Sequence, residues 1–265
     1  MTPPVPARRL GIVPYLNVRP LLVGLEQQFP VADWVRATPR DLAAMLAAGT
    51  VDIAIVSVYE GLRAADRLRL LPGAVIGSNG AVRSVSLFSR VPLTQVRRVL
   101  LDRASLTSIH LARILARELL EIEPEYEHAE APILPSLDWR ALPHDAFVVI
   151  GDTALHWEHD FPHKLDLGEG WRQLTGLPFV FAAWWARHGV ALTPDQESAF
   201  AAARVRGEGC IDKLVEEILA EGQSWPGGAP SLRQYLGEAI NYRLGPRQLA
   251  ALALFREKLM HHGLL

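Results

Sequence analysis

The 265-residue chain has a single cysteine, Cys210. One thiol excludes an internal disulfide and any metal site built on several thiolates. It falls in a helix-like stretch, where a buried structural thiol is expected rather than a nucleophile. An excess of charge of one sign is also missing. The 27 basic residues stand against 29 acidic ones, a net charge of −2. That balance leaves no electrostatic footprint for nucleic acid or for an anionic membrane. No apolar run is long enough to cross a bilayer, and the proline-rich opening Met1–Arg8 lacks the apolar core of a secretory signal. These absences lead to the expectation of a cytoplasmic protein with no nucleic-acid and no membrane partner; a monomer or homodimer is expected, and composition does not choose between them.

Nucleotide-binding signatures are missing as well. There is no Gly-x-Gly-x-x-Gly after a strand, no Gly-Lys-Ser/Thr phosphate loop and no Gly-x-Ser-x-Gly elbow. His156, His159 and His163 could share a helix face, but Phe161-Pro162 interrupts the helix before the third. They are read as a solvated loop, and neither a metal nor an organic cofactor is expected.

What is present is ample apolar material, 49% of residues, enough for a full core. Arg9–Val13 reads as a first strand, and Leu21–Phe29 as a helix with Asn17 at its cap and Pro20 in its first turn. Thr38-Pro39 opens a helix that Gly49 ends, and Asp52–Ser57 reads as a buried parallel strand. This β-α-β-α-β opening argues for a parallel sheet with right-handed crossovers. Strands are expected around Ala74–Ser78 and Ser84–Ser89. A second unit follows, with Val99–Asp102, the amphipathic helix Ile109–Leu120 and the buried strand Phe147–Asp152. Leu165–Trp171 reads as a strand and turn. The apolar run Leu177–Ala186 leads back to the first unit, and helices fill Thr193–Leu265.

This order predicts an α/β, two-lobed architecture. Residues 1–88 and 183–265 would form one lobe and 89–182 an inserted second lobe, with a central cleft and two crossing strands near Ser86 and Phe181. Ligands of open α/β sheets bind outside the carboxyl ends of strands. Asn17, Ser57, Ser84, Thr107, Ser108 and Asp152 all fall at or near strand ends. Asn17 and Thr107-Ser108 each mark a helix start, whose free N–H groups suit an anion. One such start in each lobe would suit a small dicarboxylate. Ser84 and Ser86 alternate on one face of a strand. Glu60 is read as a solvated carboxylate. Trp184-Trp185 is read as core or interface packing.

Several stretches together resemble the chorismate dehydratases of the futalosine route to menaquinone. They are Tyr15-Leu16-Asn17-x-x-Pro20-Leu21, Asp52–Ser57, Gly80-x-x-x-Ser84, Ser105-x-Thr107-Ser108, Gly151-Asp152-x-Ala154-Leu155, and Asp166-Leu167-Gly168-Glu169-x-Trp171 with Leu177–Ala182. The resemblance implies a periplasmic-binding-protein-like fold of type II and a cofactor-free lyase. It implies loss of water from chorismate to give 3-[(1-carboxyvinyl)oxy]benzoate. Asn17 and Ser84 resemble the family's catalytic pair, and Thr107 and Ser108 its carboxylate binders. Tyr15, Ser57, Ser86, Gly151 and Asp152 are expected to complete the substrate site. The alternatives are a non-enzymatic solute-binding protein for a small carboxylate and the sister 1,4-dihydroxy-6-naphthoate synthase. The sister enzyme's different first loop is absent from this chain.

Overall fold

Four consecutive buried residues, Ile53 to Val56, leave the strand Ile53–Ser57 without a polar face. Such a strand belongs inside a sheet covered on both sides. In the computed structural model, which describes residues 5–7, 9–103, 106–222 and 225–265, it is an inner strand of six. The order across that sheet is Asn241–Arg243, Leu68–Ser78, Phe179–Arg187, Ile53–Ser57, Leu10–Ile12, Trp34–Arg36. Leu10–Ile12 runs parallel to both of its neighbours, whereas Phe179–Arg187 runs antiparallel to Ile53–Ser57. The sheet is therefore mixed rather than parallel throughout.

The chain divides into two units. The first extends to Gly77 and resumes over Val180–Leu249; the second comprises Ser78–Phe179 and Ala250–Leu265. This division departs from the expected 1–88/89–182/183–265 partition at three places, one of them the return crossing, which falls at Val180 rather than residue 183. Val85–Ser89 pairs with Ala146–Ile150 and His163–Asp166, so it is a strand of the second unit. The last helix, Pro246–His261, also changes unit partway, because Phe255 packs edge-on against Trp171 and Phe179 with centroids 5.9 and 5.1 Å apart.

Within the first unit, Pro39–Ala48 is the helix its signals predict. Thr38 accepts a hydrogen bond from the Asp41 N–H at 3.2 Å, and Gly49 closes the helix at φ 75°. The expected helix over Leu21–Phe29 is absent. Short 3₁₀ turns, Leu16–Leu21 and Leu25–Gln27, replace it. Pro20 and Gly24 interrupt the α ladder, and the buried Leu21, Leu25 and Phe29 need only short turns to reach the core. Trp184 and Trp185 are core residues, as read; Trp184 lies 5.0 Å from Phe200. Cys210 is half-buried at the start of the helix Ile211–Ala220, not deep in the core.

In the second unit the order is His163–Asp166, Val85–Ser89, Ala146–Ile150, Arg98–Leu101, Glu125–His128. One face of this sheet carries an aromatic cluster of Phe88, Trp139, Phe147, Trp157 and Phe161. The helix Leu106–Glu118 follows the strand Arg98–Leu101. Where a turn was expected at the end of Leu165–Trp171, Leu167–Thr175 is a helix, because the Asp166 carboxylate accepts from the Gly168 and Glu169 N–H groups and caps it. Among the described residues no helix is long and apolar enough to cross a membrane, and no cluster of potential ligands could hold a metal ion.

Candidate active site

The expected site residues fall into two sets, each at one end of its own sheet. In the first unit, Leu10–Ile12 and Ile53–Ser57 run parallel; Tyr15 and Asn17 follow the carboxyl end of the first, and Ser57 is the last residue of the second. Ser57 caps the short helix Val58–Arg63 by accepting from the Glu60 N–H at 3.3 Å. Asn17 is not the cap expected of it. Tyr15 holds the cap position but its side chain does not cap the turn, and Asn17 lies inside the 3₁₀ turn. Its side chain turns elsewhere: Nδ2 donates to the Tyr235 hydroxyl at 3.1 Å, and Oδ1 is buried without a hydrogen-bond partner among the described residues.

The Asn17 turn is braced by the helices that follow residue 193. Gly207 of the helix Pro194–Glu208 packs directly on the Pro20 backbone; a Cβ at that glycine would stand 1.8 Å from the Pro20 carbonyl oxygen. Arg206 Nε donates to the Val23 carbonyl at 3.0 Å. Arg19 forms a two-pronged ion pair with Glu221, which holds the carboxyl below its ordinary range.

In the second unit, Val85 pairs with Ile150 in the antiparallel ladder. Ser84, just before one strand, therefore sits beside Gly151, just after the other, and the Gly151 N–H donates to the Ser84 carbonyl at 2.7 Å. The parallel strand Arg98–Leu101 ends beside Val148 and leads into the helix that carries Thr107 and Ser108 in its first turn. Ser84, Ser86, Thr107 and Ser108 are all buried, and the Ser86 Oγ has no hydrogen-bond partner among the described residues. Ser105, part of the same motif, lies outside the described residues. Gly151 adopts φ 63°, a conformation that favours glycine, and Asp152 follows it on the helix Gly151–His156. The Asp152 side chain meets solvent, yet the protein around it strips away enough water to raise its carboxyl pKa, with His156 opposing.

Ser84 is delivered by a turn under strain, with Gly80 at φ 118° and Arg83 at φ 65°. Asp166 holds it. Besides capping its own helix, this buried carboxylate accepts from the Val82 and Arg83 N–H groups at 3.0 and 2.6 Å. Burial pushes its pKa up while these backbone donors pull it back. The Arg83 side chain is anchored on Glu158 at 3.0 Å. Burial works to raise the Glu158 carboxyl, but Arg83 and Lys164 together hold it below the usual range.

This arrangement has recognisable relatives. Residues 8–261 match the protein family described as menaquinone biosynthesis. The chain belongs to the menaquinone biosynthesis family. Along nearly its full length it is similar to a chorismate dehydratase from Thermus thermophilus, with 32% identity over 263 residues, 94% of each chain. Among solved structures, a protein from Archaeoglobus fulgidus superposes with a TM-score of 0.72 at 16% identity, covering 97% of this chain and 98% of that one. A Candida albicans protein with the generic periplasmic-binding-protein fold gives 0.68 at 12% identity, over 98% and 91%. The periplasmic aliphatic sulphonate binding protein of Escherichia coli gives 0.61 at 16%, over 98% and 88%. The fold is thus the α/β periplasmic-binding-protein fold, as expected.

Two residues of this menaquinone-biosynthesis protein escaped the sequence reading. Tyr235 lies 218 positions from Asn17, in a helical stretch without any motif. Asp166 was visible as part of a motif, but its tie to the turn before Ser84 spans more than eighty residues. No local signal marks either contact.

Proposed function

We propose that this protein is a chorismate dehydratase, a carbon–oxygen lyase that converts chorismate to 3-[(1-carboxyvinyl)oxy]benzoate and water for menaquinone synthesis. The observation that carries the reading is the near full-length similarity to the Thermus thermophilus chorismate dehydratase. The residues fit the chemistry. Loss of the C3 proton and the C4 hydroxide places a double bond between C3 and C4 and makes the ring aromatic. The C3–H bond is conjugated through C1=C2 with the ring carboxylate, so its electrons spread onto that carboxylate as the proton leaves. Thr107, Ser108 and the first-turn N–H groups of their helix are assigned to a substrate carboxylate, where fixed donors stabilise developing charge. Asn17 and Ser84 are assigned as the catalytic pair, with Tyr15, Ser57, Ser86, Gly151 and Asp152 as substrate-binding residues. No cofactor enters the reaction.

The base is assigned to the substrate's own enolpyruvyl carboxylate. Glu60 is committed to Arg63 at 2.7 Å. Asp152 is the second reading: it is the one carboxylate among the assigned residues, and burial raises its pKa, which favours proton acceptance. Incubation with chorismate, followed by the ultraviolet absorbance of the aromatic product, tests the function. Turnover is expected from the wild type and at most a trace from Asn17→Ala. Tight binding without turnover would support the solute-binding alternative instead. Asp152→Asn is expected to keep substantial activity; its complete loss with chorismate still bound would move the base to Asp152.

A further inference from the structure

Asn17 and Tyr235 meet within the first unit, and their geometry goes beyond naming Asn17 as a site residue. The Asn17 amide gives an N–H to the Tyr235 phenolic oxygen, and its Oδ1 is left buried and without a partner among the described residues. An orphaned buried acceptor is costly unless a ligand or a water satisfies it. Tyr235 is firmly placed. It is 3% exposed, and its ring packs on Trp225 with centroids 5.2 Å apart. It opens a π-helical turn, Tyr235–Ala239, that continues the helix Gly228–Gln234. Such wide turns re-aim a side chain and are frequent at functional sites.

We infer that Tyr235 is a positioning residue that fixes the Asn17 amide so that Oδ1 accepts a hydrogen bond from the C4 hydroxyl of the substrate. This rests on the dehydratase reading. Chorismate with both carboxylates ionised carries one hydrogen-bond donor, the C4 hydroxyl, and otherwise only acceptors. An amide presenting its oxygen is mismatched to a carboxylate and matched to that hydroxyl. The C4 hydroxyl is also the leaving group, so the contact orients the bond that breaks. The helical region after residue 193 thereby supplies part of the active site, rather than only bracing it.

The test is Tyr235→Phe, which removes one oxygen and keeps the ring on Trp225. The kcat is expected to fall about 10- to 100-fold through misplacement of the leaving group. KM should move less than about twofold, because the carboxylates anchor the ground state. In an Asn17→Ala background the same substitution should cost nothing further, since its effect passes through the amide. Equal losses in both backgrounds, or no loss in the wild type, would overturn the inference. A readout without turnover is the Asn17 side-chain amide resonance pair in a ¹⁵N–¹H spectrum, assigned by its disappearance in Asn17→Ala. Tyr235→Phe should shift it, and an unmoved pair refutes the contact. If the wild type fails to dehydrate chorismate, the dehydratase reading falls and takes the C4-hydroxyl role with it. The resonance experiment still decides whether Tyr235 holds the amide.

Discussion

Replacing Asp166 tests whether one carboxylate holds both a helix and the turn that delivers Ser84. Its Oδ1 accepts from the Gly168 and Glu169 N–H groups at 3.0 and 3.2 Å, and its Oδ2 from the Arg83 N–H at 2.6 Å; the Val82 N–H is shared at 3.0 Å. In Asp166→Ala the helix cap is lost, worth about 1 kcal/mol. The Val82 and Arg83 donors lose their acceptor, at about 1–3 kcal/mol each where water cannot replace it. Val82 is buried, whereas Arg83 is only partly so, which places that half near the lower end. Relief of the carboxylate's burial offsets some of the total. A net loss of about 3 kcal/mol follows. Asp166→Asn separates the two halves. The amide oxygen can keep the cap, but the amide nitrogen then faces the Arg83 N–H, donor against donor. Its cost should be about 2 kcal/mol, all from the turn. Urea denaturation read by tryptophan fluorescence and circular dichroism supplies the values, provided the two signals report the same transition for the second unit. A loss below about 1 kcal/mol in the alanine variant would refute the clamp. So would an asparagine variant as stable as wild type. Both variants should also lower kcat, because Ser84 directly follows Arg83.

Other perturbations probe separate parts of the chain. Gly207→Ala drives a methyl into the Pro20 carbonyl at 1.8 Å, so the helix must retreat from the Asn17 turn. A loss of about 3 kcal/mol or more is expected, readable as a lowered melting temperature together with lost activity. For Glu118, burial acts to raise the carboxyl, but Lys258 and His262 hold it below its ordinary pKa. That stability is present above the unfolded-state pKa and is lost as pH falls through the folded one. Glu118→Gln should therefore cost about 1 kcal/mol at neutral pH and flatten the acid limb of a stability–pH curve. An unchanged acid limb would exclude the ion-pair account. The His110 ring, depressed to about 4 by burial and then by Arg113 and His128, should stay neutral through pH 6 in an NMR titration. A midpoint near 6.5 would refute its burial.

Much of the frame was readable along the chain. The strand Ile53–Ser57 announced itself by unbroken hydrophobicity, and Pro39–Ala48 by Thr38, Pro39 and Gly49 at their proper places. Errors arose where tertiary contacts outweighed local pattern. Leu21–Phe29 has helix-like apolar spacing, yet Pro20 and Gly24 and the close approach of Gly207 make 3₁₀ turns the better fit. Leu165–Trp171 reads as a strand and turn, yet Leu167–Thr175 is a helix that contains Gly168 and Gly170. Those glycines serve close packing instead: a Cβ on Gly168 would fall 2.4 Å from the Ser78 Oγ, and one on Gly170 would meet Leu115 at 3.0 Å. The strand Asn241–Arg243 was missed altogether, since three residues carry too little periodicity to read.

By itself the sequence determined the α/β class and which polar residues end up at or near strand ends. Those follow from composition and from periodicities of two and 3.6 residues, which are local properties. Only the tertiary structure decided how the side chains are used. It turned Asn17 from a cap into a partner of Tyr235, and it tied Asp166 to the turn before Ser84. Hydrogen bonds between residues 83 and 218 positions apart leave no trace in local pattern, because their geometry is set by packing that brings distant segments together.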